Sequence, residues 1–211
     1  MPSDAEAEAM IEVILPDGAK RQLVSGSTGT TLATDISNSL AKKAIAIKQN
    51  GKLVDLALEL TDGAAVEVIT IDSPEALELL RHDCAHVLAE AVQELFPGTQ
   101  VTIGPAIENG FYYDFAREQP FTPDDLEIIQ QRMKEIIDRN EPFIREEWDR
   151  QEAIKFFESK GEAYKAELIR DLPESETISI YRQGEWLDLC RGPHMPSTGR
   201  VGAAFKLMSV A

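Results

Sequence analysis

Only three histidines occur in the 211 residues, and their placement is the most informative feature of the sequence. His82 and His86 are four apart in Arg81-His82-Asp83-Cys84-Ala85-His86, so on a helix their rings share one face. His194 follows a cysteine by four residues in Cys190-Arg191-Gly192-Pro193-His194, where glycine and proline force a turn and let thiol and imidazole converge. Three chemistries fit this set. The plain one is structural, with two capped helix histidines and an unrelated core cysteine. The second is a zinc site, because three imidazoles and a thiolate make a tetrahedral ligand set. The third is a metal-free hydrolytic pocket that positions a substrate and a water. The metalloprotease pattern HEXXH is absent. Cys84, about 200° round the helix from either histidine, is expected to face the core.

Other groups of interest stand nearby. Tyr112 and Tyr113 in Gly110-Phe111-Tyr112-Tyr113-Asp114 alternate, so one of them can face a pocket. Lys165 lies in Gly161-Glu162-Ala163-Tyr164-Lys165, where a solvated surface lysine is the ordinary reading. Asp188 precedes Cys190 by two residues and shares its strand face, either as a charge partner or as a site residue.

These residues must be held by elements, and the pattern gives two domains, 1–71 and 72–211, of α+β class. Alternation over Ile11–Leu15, a Pro16-Asp17-Gly18 turn and Lys20–Val24 predict a hairpin. Leu32, Ile36 and Leu40 predict one amphipathic helix capped at Thr30 or Thr31. Strands around Ala44–Lys48, after Asn50-Gly51, and over Val66–Ile71 complete the order of a β-grasp, or ubiquitin-like, domain. Ser73-Pro74-Glu75 reads as the capped start of a long helix that stops at Pro97-Gly98. Short strands around Val101–Ile103 and Phe111–Phe115 follow, then a helix from Thr122 to near Asn140, helical pieces over Arg150–Asp171, and strands at Ile178–Arg182, Glu185–Cys190 and Ala203–Val210. The second domain is therefore expected to combine a long helix with an antiparallel sheet.

Composition narrows the function classes. Lys and Arg number 21 against 37 Asp and Glu, for a net charge of −16, and neither domain is basic. This argues against a general nucleic-acid binder while allowing one local site. No apolar run is long enough to span a bilayer, and Met1–Met10 has no leader-like pattern. Two cysteines make no disulfide framework, so a reducing cytosol is the default compartment.

At these motifs the chain resembles the N-terminal half of bacterial threonyl-tRNA synthetases. The residues that carry the likeness are Arg81–His86, Ile103-Gly104-Pro105, Asn109–Asp114, Gly161–Lys165, Asp188–His194 and Phe205-Lys206-Leu207-Met208. The resemblance implies a fragment comprising the family's small β-grasp (TGS-like) domain and its editing domain. It implies hydrolysis of serine mistakenly attached to tRNA(Thr), with the acceptor end of that tRNA as partner. His82, Lys165, His86, Cys190 and His194 would form the catalytic pocket, and Tyr113 and Asp188 would contact the substrate. Alanyl-tRNA editing proteins hold zinc with the same ligand types; the threonyl type implies no metal for editing, and His82, His86, Cys190 and His194 are the ligands if zinc is present. ATP with magnesium, a catalytic-domain zinc, threonine attachment and homodimerisation would belong to the parent enzyme, outside this chain, in the cytoplasm and away from membranes. A tRNA-gripping module and a free-standing zinc hydrolase are the alternatives.

Overall fold

The computed structural model describes residues 9–102 and 104–210. They divide into two compact units, the first ending at Ala76 and the second beginning at Leu77.

In the first unit, β1 (Met10–Ile14) and β2 (Lys20–Val24) form the antiparallel hairpin, with Met10 opposite Val24 and Ile14 opposite Lys20. One helix was expected next, but the chain makes two, α1 (Gly29–Ile36) and α2 (Asn38–Lys43). Ser37 breaks them: its backbone is extended, and its side chain accepts the Leu40 N–H, capping α2. The cap of α1 is Thr28, not Thr30 or Thr31, because Thr28 and Thr31 satisfy each other's backbone N–H groups in a capping box. Strands β3 (Ala44–Gln49) and β4 (Lys52–Asp55) are joined at Asn50-Gly51, both with positive φ, as a two-residue hairpin of the right twist requires. With β5 (Val66–Thr70), β3 occupies the centre of a three-stranded antiparallel sheet. A parallel bridge from Ile14 to Ala65 brings the first strand beside the start of the last, the β-grasp arrangement. Val13, Leu32 and Ile47 are fully buried at its core.

The second unit is built on α3 (Ala76–Leu95). Ser73 does not cap it; the Ser73 hydroxyl accepts the Thr70 N–H in the preceding turn. Two-residue strands follow: β6 (Gln100–Val101), β7 (Ala106–Ile107), β8 (Gly110–Phe111) and β9 (Phe115–Ala116). β7 and β8 form a small hairpin set between the paired β6 and β9. The single strand expected over Phe111–Phe115 is thus two, parted at Tyr112–Asp114; Ile103 lies outside the described residues. Helix α4 (Pro123–Arg139) starts at a Thr122–Asp125 capping box and ends at a left-handed Asn140. β10 (Phe143–Trp148), which sequence reading missed, pairs with the later β11. Helices α5 (Arg150–Ser159) and α6 (Ala163–Asp171) precede β11 (Ile178–Gln183) and β12 (Trp186–Leu189), which complete an antiparallel β10-β11-β12 sheet. No strand forms over the expected Ala203–Val210: its backbone finds no neighbouring strand, and the Leu207 N–H bonds instead to the Gln130 side chain.

Two clusters fill this unit. One packs Ala85, Val92 and neighbours of α3 against Ile129, Met133 and Ile136 of α4, and Cys84 is part of it. The other packs α5 and α6 on Ile178 and Ile180 of β11. Among the described residues, no helix is long and apolar enough to cross a membrane.

Candidate functional site

The i, i+4 spacing on α3 sets the His82 and His86 rings 5.0 Å apart, and the turn after β12 brings His194 to 4.6 Å from the first and 4.3 Å from the second. Cys190 joins them. One ligand atom from each of His82, His86, Cys190 and His194 lies within 4.8 Å of the others. The sulfur is the hub: His82 Nε2 is 3.1 Å from it, His194 Nε2 is 3.3 Å away, and the Gly192 N–H donates to it at 3.2 Å. Gly192 has φ +69°, and a Cβ there would meet the Tyr181 hydroxyl, so only glycine closes this turn.

Behind the cluster stands Asp83, a residue inside the motif to which sequence reading gave no role. Its carboxylate receives His194 Nδ1–H at 2.7 Å and the Met195 N–H at 3.0 Å, and both Asp83 and His194 are buried. The available signal was an acid in a core-facing helical stretch, which requires a partner. His194 is also stacked on Phe143 of the unforeseen β10, at 4.7 Å and 17°.

A second cluster adjoins the first. Lys165 is not a surface lysine: 3% exposed, it pairs with Asp188 at 2.7 Å. The Tyr113 hydroxyl donates to the other Asp188 oxygen at 2.7 Å and lies 3.3 Å from the Lys165 ammonium, which donates to it. Tyr112 turns outward, 45% exposed, so the alternation resolves in favour of Tyr113. His82, His86, Tyr113, Lys165, Asp188 and Cys190 all line a cavity of about 340 Å³. His194 is not on that lining; it supports Cys190 from behind.

Burial sets the charge state. It lowers His82 to about 4, helped by the neighbouring His194, and holds His86 well below the ordinary imidazole range. It pushes Cys190 up to about 12. Burial, then the Asp188 charge, keeps the Tyr113 phenol well above its usual value. At neutral pH the imidazoles of His82 and His86 and the Cys190 thiol are therefore uncharged, and the Lys165–Asp188 pair brings the charge. The sequence Cys190, His194, Asp83 has the spatial order of a nucleophile, base and orienting acid. Burial pushes the Cys190 thiol up to about 12, so it does not rest as a thiolate, and nucleophilic attack by it would need His194 to take its proton.

The four donors also suit a metal. Two or three imidazoles with one sulfur are ordinary zinc ligands, and a tetrahedral ion with bonds of about 2.0–2.3 Å accommodates atoms this close. His86 Nδ1, buried and without a hydrogen-bond partner, is the donor atom that protein groups leave unsatisfied. A closed four-ligand site would leave no position for a reacting water.

Comparison with known proteins adds the following. Residues 11–70 match the TGS domain, and residues 178–211 match the threonyl and alanyl tRNA synthetase second additional domain. The chain is 62% identical over 202 residues to the threonine–tRNA ligase of Granulibacter bethesdensis, covering 96% of this chain and 32% of that protein. It is 64% identical to that of Maricaulis maris and 61% to that of Phenylobacterium zucineum, in each case over 202 residues and 31% of the relative. The chain thus spans about a third of the length of the curated relatives it matches.

Proposed function

We propose that this chain, with a TGS domain and the second additional domain of the threonyl and alanyl tRNA synthetases, is the editing region of a threonine–tRNA ligase. Its reaction is hydrolysis of serine esterified to tRNA(Thr). The observation that carries the reading is the single cavity shared by a neutral imidazole, His82, and the buried Lys165–Asp188 pair.

The need for such a site is physical. Serine is threonine without one methyl group, and a pocket shaped for threonine rejects the smaller residue by only about 1–3 kcal/mol. A second cavity too small for the methyl inverts the selection. In this cavity Asp188 and Tyr113 take the amino end of serine, and Lys165 draws electron density from the ester carbonyl as the tetrahedral oxyanion forms. Water held by His82 attacks the carbonyl carbon. The bond from that carbon to the ribose oxygen breaks, the oxygen takes the proton, and serine leaves. With its imidazole at about 4, His82 steers the water by hydrogen bonding more than it removes its proton. His86, Cys190 and His194 keep the ring in place.

No metal is needed for these steps. Zinc held by all four of His82, His86, Cys190 and His194 would be structural, and only with one of the four off the metal would it act as a Lewis acid on an oxygen. A tRNA-gripping module is disfavoured because the chain carries 21 Lys and Arg against 37 Asp and Glu, whereas a gripping surface is basic. Threonine attachment, with ATP, magnesium and a separate zinc, and homodimerisation belong in this reading to the rest of a cytoplasmic ligase.

The test is release of the amino acid from Ser-tRNA(Thr) and Thr-tRNA(Thr), before and after exhaustive chelation. Serine release is expected to be much the faster and to survive the chelator, and His82→Ala is expected to lower it by about 10²–10⁴-fold. Equal rates on the two esters would end the sieve reading. Loss of activity on chelation with recovery on added zinc would establish the metal-dependent alternative.

A further inference from the structure

A second cavity, of about 430 Å³, adjoins the hydrolytic one and plays no part in the steps above. The same three segments of chain build both. Residues 99–100, 160–162 and 185–187 line the second cavity. Their continuations, at 102, 104 and 105, at 165, 168 and 172, and at 188–191, line the first. Three residues of extended chain span about 10 Å, so the two cavities are immediate neighbours. A wall divides them: Glu162, at the start of α6, accepts the Gln93 side-chain N–H and the Val101 N–H, which ties α6 to β6. Trp186 belongs to both neighbourhoods. It lines the second cavity, its indole N–H donates to Gln93 Oε1 at 2.7 Å, and its ring meets that of His86 edge to face at 5.8 Å.

The lining of this cavity has the parts of a nucleotide site, and its volume is that of a small-ligand pocket. Trp186 and Phe156 supply aromatic surface for a planar base. Gln100 Oε1 is buried and has no hydrogen-bond partner among the described residues, an acceptor that suits the exocyclic amine of cytosine or adenine. Lys160 is exposed, its ammonium 5.6 Å from the Phe156 ring, and it pairs with no carboxylate among the described residues, so it is free to meet a phosphate. Arg182 adds a second cation, held by Glu146 through Nε at 2.8 Å. Of the two acids on the lining, Glu162 is turned to Gln93 and Val101, and Glu185 stands exposed. We propose that the second cavity is a nucleotide subsite: it holds an amino-bearing base of the single-stranded RNA end whose neighbouring nucleotide carries the ester into the hydrolytic cavity. The proposal rests on the hydrolytic reading for the identity of the strand. It deepens that reading by giving the RNA a local grip on a chain whose net charge is −16.

The experiment titrates the full chain with cytidine monophosphate and with uridine monophosphate while NMR follows the Trp186 indole N–H. Serine release from Ser-tRNA(Thr) is measured in parallel. Cytidine monophosphate is expected to shift that N–H and to bind about tenfold more tightly than uridine monophosphate, whose carbonyl would face Gln100 Oε1. Gln100→Leu is expected to erase the preference. Lys160→Ala is expected to weaken cytidine monophosphate about tenfold and to raise KM for Ser-tRNA(Thr) by a similar factor, with kcat little changed. Lys155→Ala, which removes an exposed lysine of α5 that is not on the lining, is expected to change neither. Equal binding of the two nucleotides, or an unmoved indole N–H, overturns the proposal. Weakened cytidine monophosphate with an unaltered KM in Lys160→Ala would assign the cavity to a free nucleotide and overturns it as well. Serine release by a chain that binds neither nucleotide leaves the hydrolytic reading standing without the subsite. Nucleotide binding with the expected preference by a chain that releases no serine overturns the hydrolytic reading and sustains the nucleotide cavity.

Discussion

Lys165 shows how much of the site escapes inspection of single residues. A lone lysine in a polar stretch reads as solvated, and the resemblance alone marked it. The physical reason for its burial is its neighbour: Ala166 and Ile169 face the core of α6, and Lys165 shares that buried side. Once inside, the ammonium is tolerable only with Asp188 and the Tyr113 hydroxyl beside it. Lys165→Met is accordingly expected to destabilise the chain by about 3–5 kcal/mol, because it strands a buried carboxylate. Lys165→Met with Asp188→Asn is expected to recover most of that loss while remaining inactive. Urea unfolding of both variants checks this, and a double variant no more stable than the single one would show that the pair's charge is not the issue. The histidines and Cys190 were legible because their types are rare and their spacings chemical. Asp83 was not, since one acid among many carries no signal until its partner is seen.

At the level of elements, the period of the sequence carried most of the fold. α4 was legible to its first and last turns because cap, proline and apolar stripe all agree. β10 was missed because Arg145, Glu146 and Glu147 break the apolar alternation; Glu146 is there to meet Arg182 of β11, a partner that no local window contains. Helix α3 continues past the histidines in the same register to Glu90, buried and bonded to Gln183 at 2.5 Å and to Arg139 at 3.1 Å. Burial raises this carboxyl to about 7. An acid with a raised folded-state value is held protonated by the fold, so stability falls as pH rises from about 4.5 to 7 and is level beyond. Glu90→Gln removes that dependence. The variant should match the wild type more closely at pH 4.5 and exceed it by up to about 3 kcal/mol above pH 7, judged by thermal or urea unfolding across the range. A stability difference independent of pH would mean that Glu90 is ionised throughout.

Across the whole molecule, the two units keep separate cores: Val13, Leu32 and Ile47 in one, and the α3–α4 and α5–α6 clusters in the other. Every residue lining the cavity belongs to the second unit. Dividing the chain between Ala76 and Leu77 should therefore yield two pieces that each unfold cooperatively, with serine release retained by residues 77–211 alone. Circular dichroism melts and the deacylation assay test this; a second piece that melts without a transition would show that it needs the first to fold. The bond between His82 and Cys190 closes a span of 108 residues, and that between Asp83 and Met195 closes 112. At ribosomal rates of about 5–20 residues per second, the paired imidazoles of α3 emerge roughly 5–20 s before the thiol that completes their setting. During that interval the nascent chain carries His82 and His86 without the Cys190 thiol, without Asp188 and without the His194 ring that stacks on Phe143. The four-residue cluster is completed only when the turn at Gly192 brings Cys190 and His194 to the imidazoles of α3.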